Sequence, residues 1–181
     1  MGFSHRSRVL NMKNIVLVGF MGTGKTEVAK ALAKGLGMKY VSTDELIVEK
    51  DGRAITDIFK KDGEAYFRQL EKKVVAEVSR LSGQVIDTGG GVVLNDDNLR
   101  ALRANGHLVC LWASPEAIYE RTCRHGYRPL LNVDDPQGKI RELLESRKPC
   151  YEKADLHVNT TGLDIGEVAE SIRRMINENK E

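Results

Sequence analysis

An α/β fold, built on a five-stranded parallel sheet flanked by helices on both faces, is predicted by three features of this 181-residue chain. Short apolar runs rich in β-branched residues alternate with segments whose apolar positions recur at helical spacing. The runs are nearly continuous rather than alternating, as strands covered on both faces must be. Glycines cluster where the runs end, and in such a sheet ligands lie at the carboxyl ends of the strands.

Residues 1–12 read as a leader, with Met12 a candidate start, and residues 13–181 as one domain. Asn14-Ile15-Val16-Leu17-Val18-Gly19-Phe20 is the first and central strand. From Lys25 the period changes, with Val28, Ala31, Leu32 and Leu36 on a helical stripe and Gly37 as a stop. Met38 to Ser42 is a brief second strand. Two short helices, around Glu45 to Lys50 and Thr56 to Lys61, are punctuated by Gly52 and Gly63. A longer helix carries Phe67, Leu70, Val74, Val78 and Leu81 on one stripe, and Gln84-Val85-Ile86-Asp87 is the third strand. A helix over Asn95 to Ala104 precedes a fourth strand, His107 to Trp112. Ser114-Pro115 has the form of an N-cap with proline at the first helical position, and that helix should end near Cys123. Residues 124–136 are polar, with Gly126, Pro129 and Asp134-Asp135, and read as a mobile lid. A helix through Ile140, Leu143 and Leu144 leads to Pro149. Leu156 to Asn159 is the fifth strand, and Ile165 to Ile176 a terminal amphipathic helix.

With 41% apolar residues the chain can bury a core of its own. Its net charge of +2, with both signs interspersed, is not that of a protein built to coat nucleic acid. No apolar run approaches the roughly 20 residues of a membrane span. Three widely spaced cysteines, Cys110, Cys123 and Cys150, suggest neither a disulfide framework nor a zinc site, so a reducing cytoplasm is expected. The four histidines show no metal-ligand spacing, and Cys110 and Trp112 read as packing.

Gly19-Phe20-Met21-Gly22-Thr23-Gly24-Lys25-Thr26 matches GxxxxGK[ST], directly after a predicted strand and before a predicted helix. The glycines let backbone N–H groups and a helix N-terminus face phosphate oxygens. Lys25 then reaches the β and γ phosphates, and the Thr26 hydroxyl suits Mg²⁺. Gly22, Thr23, Gly24, Lys25, Thr26 and the adjoining Glu27 are the candidate nucleotide contacts. The guanine-specifying NKxD pattern is absent, which favours ATP. The fold is therefore of the P-loop kinase type.

The loop does not say what receives the phosphoryl group. Further polar sets stand at predicted strand ends: Asp44, Phe67-Arg68-Gln69-Leu70-Glu71, Gly89-Gly90-Gly91, and Arg128 with Arg147. Taken in order with the P-loop, FRxxE, GGG, RPLL at 128–131 and a later RxxxY, the sequence resembles the shikimate kinase family from Lys13 to about Ile176. That resemblance implies ATP-dependent phosphorylation of the 3-hydroxyl of shikimate, a step in chorismate and aromatic amino-acid biosynthesis, by a monomer needing Mg²⁺. It implies that Asp44 binds ring hydroxyls and is the candidate base, that Arg68 and Arg147 hold the substrate carboxylate, and that Gly89, Gly90 and Gly91 approach the substrate, with Gly90 donating to it. It also implies that Arg128 closes with the lid over the phosphates, and that Arg121 stacks on adenine.

Each residue has a plainer reading beside that one. Asp44 could be a helix N-cap, Arg68, Arg147 and Arg121 solvated charges, Glu71 an ordinary surface partner of Arg68, and the glycines a flexible turn. One departure stands out: the family usually carries DxD after the second strand, and here the triplet is Ser42-Thr43-Asp44. An acid instead ends the third strand, so Asp87 is the candidate to replace the missing magnesium-side aspartate beside Thr26, the alternative being a partner of a nearby base or a turn cap. Two rival functions are another small-molecule kinase, of gluconate or a nucleoside monophosphate, and a nucleotide-binding regulator without catalysis.

Overall fold

The computed structural model describes residues 12–124, 131 and 133–178. Strand β1 (Asn14–Gly19) is buried along its whole length. It lies between β3 (Gln84–Asp87) and β4 (Gly106–Trp112), with β2 (Lys39–Ser42) and β5 (Leu156–Asn159) outside them. All four pairings are parallel, and the order β2-β3-β1-β4-β5 makes β1 central. The register sets Leu17 opposite Asp87, and Asp87 opposite Ser42.

Side chains alternate across a strand, so β1 feeds two cores. Val16 and Val18 join Phe20, Ile47, Ile58, Phe67, Val74, Ile86, Leu108, Ile118 and Tyr151 on one face. Ile15 and Leu17 join Val28, Leu32, Val85, Leu111, Val158, Val168 and Ile172 on the other. The second face is covered by α1 (Lys25–Leu36) and α7 (Ile165–Glu178). The first is covered by α2 (Thr43–Asp51), α3 (Ile55–Val78), α4 (Asp96–Ala104), α5 (Pro115–Arg124) and α6 (Pro136–Tyr151). Met12 belongs to this body, its carbonyl accepting from Gly83 N–H at 2.8 Å.

Gly63, at φ 80° and ψ 178°, breaks the helical path inside α3, as the punctuation of the sequence anticipates. Two expectations need correction. Leu81 is not on the buried stripe, because α3 ends at Val78 and Leu81 is 55% exposed; its carbonyl accepts from Asn14 Nδ2 at 2.6 Å. Pro149 does not end its helix, for α6 continues to Tyr151. The missing N–H costs the helix one hydrogen bond there, and burial of Tyr151 among the apolar side chains of the first core offsets it.

Among the described residues no helix is long and apolar enough to cross a membrane. The three cysteines are free thiols. Arg128, His125 and most of the expected lid lie outside the described residues.

Candidate active site

The loop after β1 turns under a cavity of about 790 Å³ at the carboxyl ends of the strands, lined by Gly22 to Val28 and by residues from β2, β3 and the segment after β5. Its shape follows from three glycines at positive φ, Gly19, Gly22 and Gly24, which only glycine adopts without strain. Lys25 is buried, and its Nζ donates to Gly19 O at 2.8 Å and to Phe20 O at 2.9 Å. Thr23 donates to Phe20 O at 2.8 Å and Val28 N–H to Gly24 O, so the loop closes into the first turn of α1. Glu27 lines the cavity from that turn and stands 3.9 Å from Lys30.

Thr26 and Asp87 meet directly: the Thr26 hydroxyl donates to Asp87 Oδ2 at 2.6 Å. Burial pushes the Asp87 carboxyl above its usual range, against the lowering effect of the Thr26 hydrogen bond and the Lys25 charge. Two hard oxygen donors beside a phosphate loop fit Mg²⁺, which takes most of its remaining ligands from water and phosphate. Among the described residues no cluster of three or more His, Cys, Asp or Glu could hold a metal unaided. Ser42, next to Asp87 across the strands, accepts from Glu45 N–H at 3.3 Å and is the N-cap of α2. Asp44 is therefore not the cap; it stands in the first turn of α2, lines the cavity, and approaches Gly89.

The triple glycine is fixed rather than loose. Gly89 N–H donates to Thr43 Oγ1 at 3.3 Å, and Gly90 O accepts from Tyr151 Oη at 2.7 Å. A Cβ on Gly89 would lie 2.8 Å from Asp44 Oδ1, and one on Gly91 would collide with the Arg68 guanidinium. Gly90 has ordinary room, 3.5 Å to the P-loop backbone. The turn thus brings β3, the P-loop, Asp44 and Arg68 to one place.

Arg68 is not a solvated charge. Its Nη1 donates to both oxygens of Glu71, at 3.1 and 2.9 Å, and its Nε and Nη2 donate to Glu64 at 3.2 and 3.0 Å. Glu71 is 1% exposed, and burial raises its pKa despite the Arg68 charge. Arg147 lies 5.9 Å over the Phe20 ring, beside Tyr151, whose phenol burial pushes up to about 12. Arg68, Gly91 and Arg147 are not among the residues lining this cavity.

Arg121 likewise is no idle surface charge. It donates to Gly22 O at 3.2 Å, to Thr160 Oγ1 at 3.0 Å and to Thr160 O at 3.0 Å, bracing the P-loop against the end of β5. Leu163, Ile165 and Val168 complete an apolar wall there. Sequence reasoning missed this wall, Thr160, and Tyr40, which lines the cavity from β2; none of them belongs to a motif. Tyr151 it quoted, in RxxxY, without giving it a role.

The model of the shikimate kinase family matches residues 21–177. A shikimate kinase of Thermodesulfovibrio yellowstonii is 50% identical over 161 residues, covering 89% of this chain and 93% of the relative. One of Caldanaerobacter subterraneus is 50% identical over 163 residues, covering 90% and 95%. The structure of shikimate kinase from Acinetobacter baumannii in complex with shikimate superimposes with a TM-score of 0.91 at 36% identity, covering 96% of this chain and 98% of that one. A gluconokinase from Sinorhizobium meliloti, at 18% identity and a TM-score of 0.58, shares the fold alone. With a P-loop at the centre of the sheet, an acidic and glycine-rich flank on the β2–β3 side, and relatives that match over most of their length, the chain belongs to the shikimate kinase family.

Proposed function

We propose that this protein transfers the γ phosphoryl group of ATP to the 3-hydroxyl of shikimate, giving shikimate 3-phosphate and ADP on the route to chorismate and aromatic amino acids. The observation that carries this reading is the triple glycine at one end of the sheet, where Gly90 packs on the P-loop backbone while Gly89 meets Asp44 and Gly91 meets Arg68. A protein that only bound nucleotide would need no such acceptor flank.

In this reading Arg68 and Arg147 hold the acceptor's carboxylate, a task suited to a planar guanidinium fork. Glu71 keeps Arg68 oriented from below. Asp44 and Gly90 orient the ring hydroxyls, and Asp44 accepts the proton of the attacking one. Lys25 and Arg128 offset the charge that develops on the transferred group, and the lid around Arg128 keeps water away. Arg121, with the apolar wall of Leu163 and Ile165, holds the adenine side. Thr26 and Asp87 would hold Mg²⁺, which would supply positive charge to offset that of the phosphates. Positioning and electrostatics carry the catalysis. The free thiols suit a reducing compartment, and the reading extends to a cytoplasmic monomer.

The test is ADP release from ATP and Mg²⁺ with shikimate, gluconate, a nucleoside monophosphate or no acceptor. Stimulation by shikimate alone is expected. Release driven by another acceptor, or nucleotide binding without acceptor-dependent release, would overturn the reading.

A further inference from the structure

The turn Gly89-Gly90-Gly91 is nailed at two points and open at two others. Thr43 takes the Gly89 N–H, and Tyr151 takes the Gly90 carbonyl. Among the described residues, no hydrogen bond uses the N–H of Gly90 or of Gly91, although Gly91 is buried. A buried N–H without an acceptor is rare and calls for a cause. The carbonyl of Gly90 and the N–H of Gly91 belong to one trans peptide and point in opposite directions. Whatever holds the carbonyl therefore aims the N–H.

Tyr151 is built for that task. It is 1% exposed, and its hydroxyl donates to Gly90 O at 2.7 Å. Trp112 meets its ring edge-on at 5.7 Å, and Trp112 is held in turn by a 3.0 Å hydrogen bond from Nε1 to His157 Nδ1. Arg147, one helical turn earlier on α6, lies beside the same phenol. One helix end thus meets both the glycine turn and an arginine of the acceptor side.

We propose that Tyr151 is a positioning residue for the acceptor: its hydroxyl fixes the peptide between Gly90 and Gly91, so that the Gly91 N–H is aimed at acceptor oxygens beside the N–H of Gly90. This rests on the acceptor site of the proposed function. Without the phenol hydroxyl the peptide can rotate, since glycine meets no steric barrier to doing so. The nucleotide side, on the opposite flank of the P-loop, should not register the loss.

The experiment is Tyr151→Phe in the full chain, which keeps the ring and its packing against Trp112. Steady-state KM values are measured for both substrates, and shikimate binding without nucleotide is followed by the emission of Trp112, the single tryptophan. The expected result is a rise of about tenfold in the shikimate KM and dissociation constant, the scale of one lost hydrogen bond, with the ATP KM within twofold of wild type. Amide exchange at Gly90 and Gly91 in the wild type, slowed by shikimate, is the second readout and needs no variant. Equal changes in both KM values, an unchanged shikimate KM, or glycine amides indifferent to shikimate overturns the inference. A wild type inert toward shikimate overturns the proposed function and this inference with it; an active wild type with an indifferent variant overturns this inference alone.

Discussion

Thr26 Oγ1 donates to Asp87 Oδ2 at 2.6 Å, tying the first turn of α1 to the last residue of β3. Ser42 stands opposite Asp87 on the neighbouring strand. On the proposed assignment Asp87 stands in for the carboxylate that the family resemblance places at Ser42, one strand closer to the P-loop.

That arrangement predicts the outcome of moving the acid back. Asp87→Asn should raise the Mg²⁺ concentration needed for half-maximal activity by roughly 10- to 100-fold, as loss of a metal-supporting partner does. Adding Ser42→Asp to that variant should restore much of it, since aspartate also caps a helix. Binding of Mn²⁺ followed by electron paramagnetic resonance measures the same change without turnover. An unchanged metal requirement in Asp87→Asn would sink the assignment.

The glycines of the turn should not be equivalent. Gly91→Ala forces its Cβ into the Arg68 guanidinium, and Gly89→Ala presses on Asp44. Both should raise the shikimate KM by about tenfold or more, the scale of a disturbed charge-assisted contact. Gly90→Ala has 3.5 Å of room and retains its N–H, so it should be the mildest of the three. Kinetics on the three variants give the ranking directly.

Glu71 makes a prediction about pH. Its folded pKa is raised above the ordinary value near 4.5 by burial, in spite of the Arg68 charge. The native state therefore holds the proton at a higher pH than the unfolded chain does. The group's contribution to stability is fully present below the ordinary value and is lost as pH rises through the raised one. Urea unfolding of wild type and Glu71→Gln across that interval should show the difference between them changing with pH. A constant offset would contradict the burial argument.

In the proposed function Arg121 serves the nucleotide side. Removing its three hydrogen bonds to Gly22 and Thr160 loosens the nucleotide flank alone. Arg121→Ala should raise the ATP KM by about 10- to 100-fold, the scale of hydrogen bonds from a charged group, and leave the shikimate KM unchanged. Equal effects on both would show that the brace serves the whole loop.

The strands were the most legible part of the fold, because β3 and β5 carry β-branched or aliphatic residues between turn-forming segments and emerge with the expected limits. Gly63 was legible as a break, since nothing else in its neighbourhood punctuates the helix. Pro149 misled, because proline reports a local cost and cannot report the tertiary burial of Tyr151 that outweighs it. In the site, Lys25 and Thr26 were readable from spacing. Arg68 was readable only through resemblance, since a helix arginine looks the same whether or not a buried Glu71 lies beneath it. Thr160 and Leu163 were invisible, as they come from a segment brought to the P-loop by the sheet order and by nothing local.

That sheet order carries a consequence for how such enzymes can diversify. With β1 in the middle, the proposed acceptor residues Asp44, Arg68 and Gly90 come from the segments around β2 and β3, and the proposed adenine contacts Arg121 and Leu163 from those after β4 and β5, with Arg147 on α6 the one acceptor residue supplied from the second side. A lineage can rewrite one flank while inheriting the other unchanged. The gluconokinase at 18% identity shares this fold alone, and the register that sets Ser42 opposite Asp87 allows the same freedom on the scale of a single strand, since an acid at either position stands at the same end of the sheet.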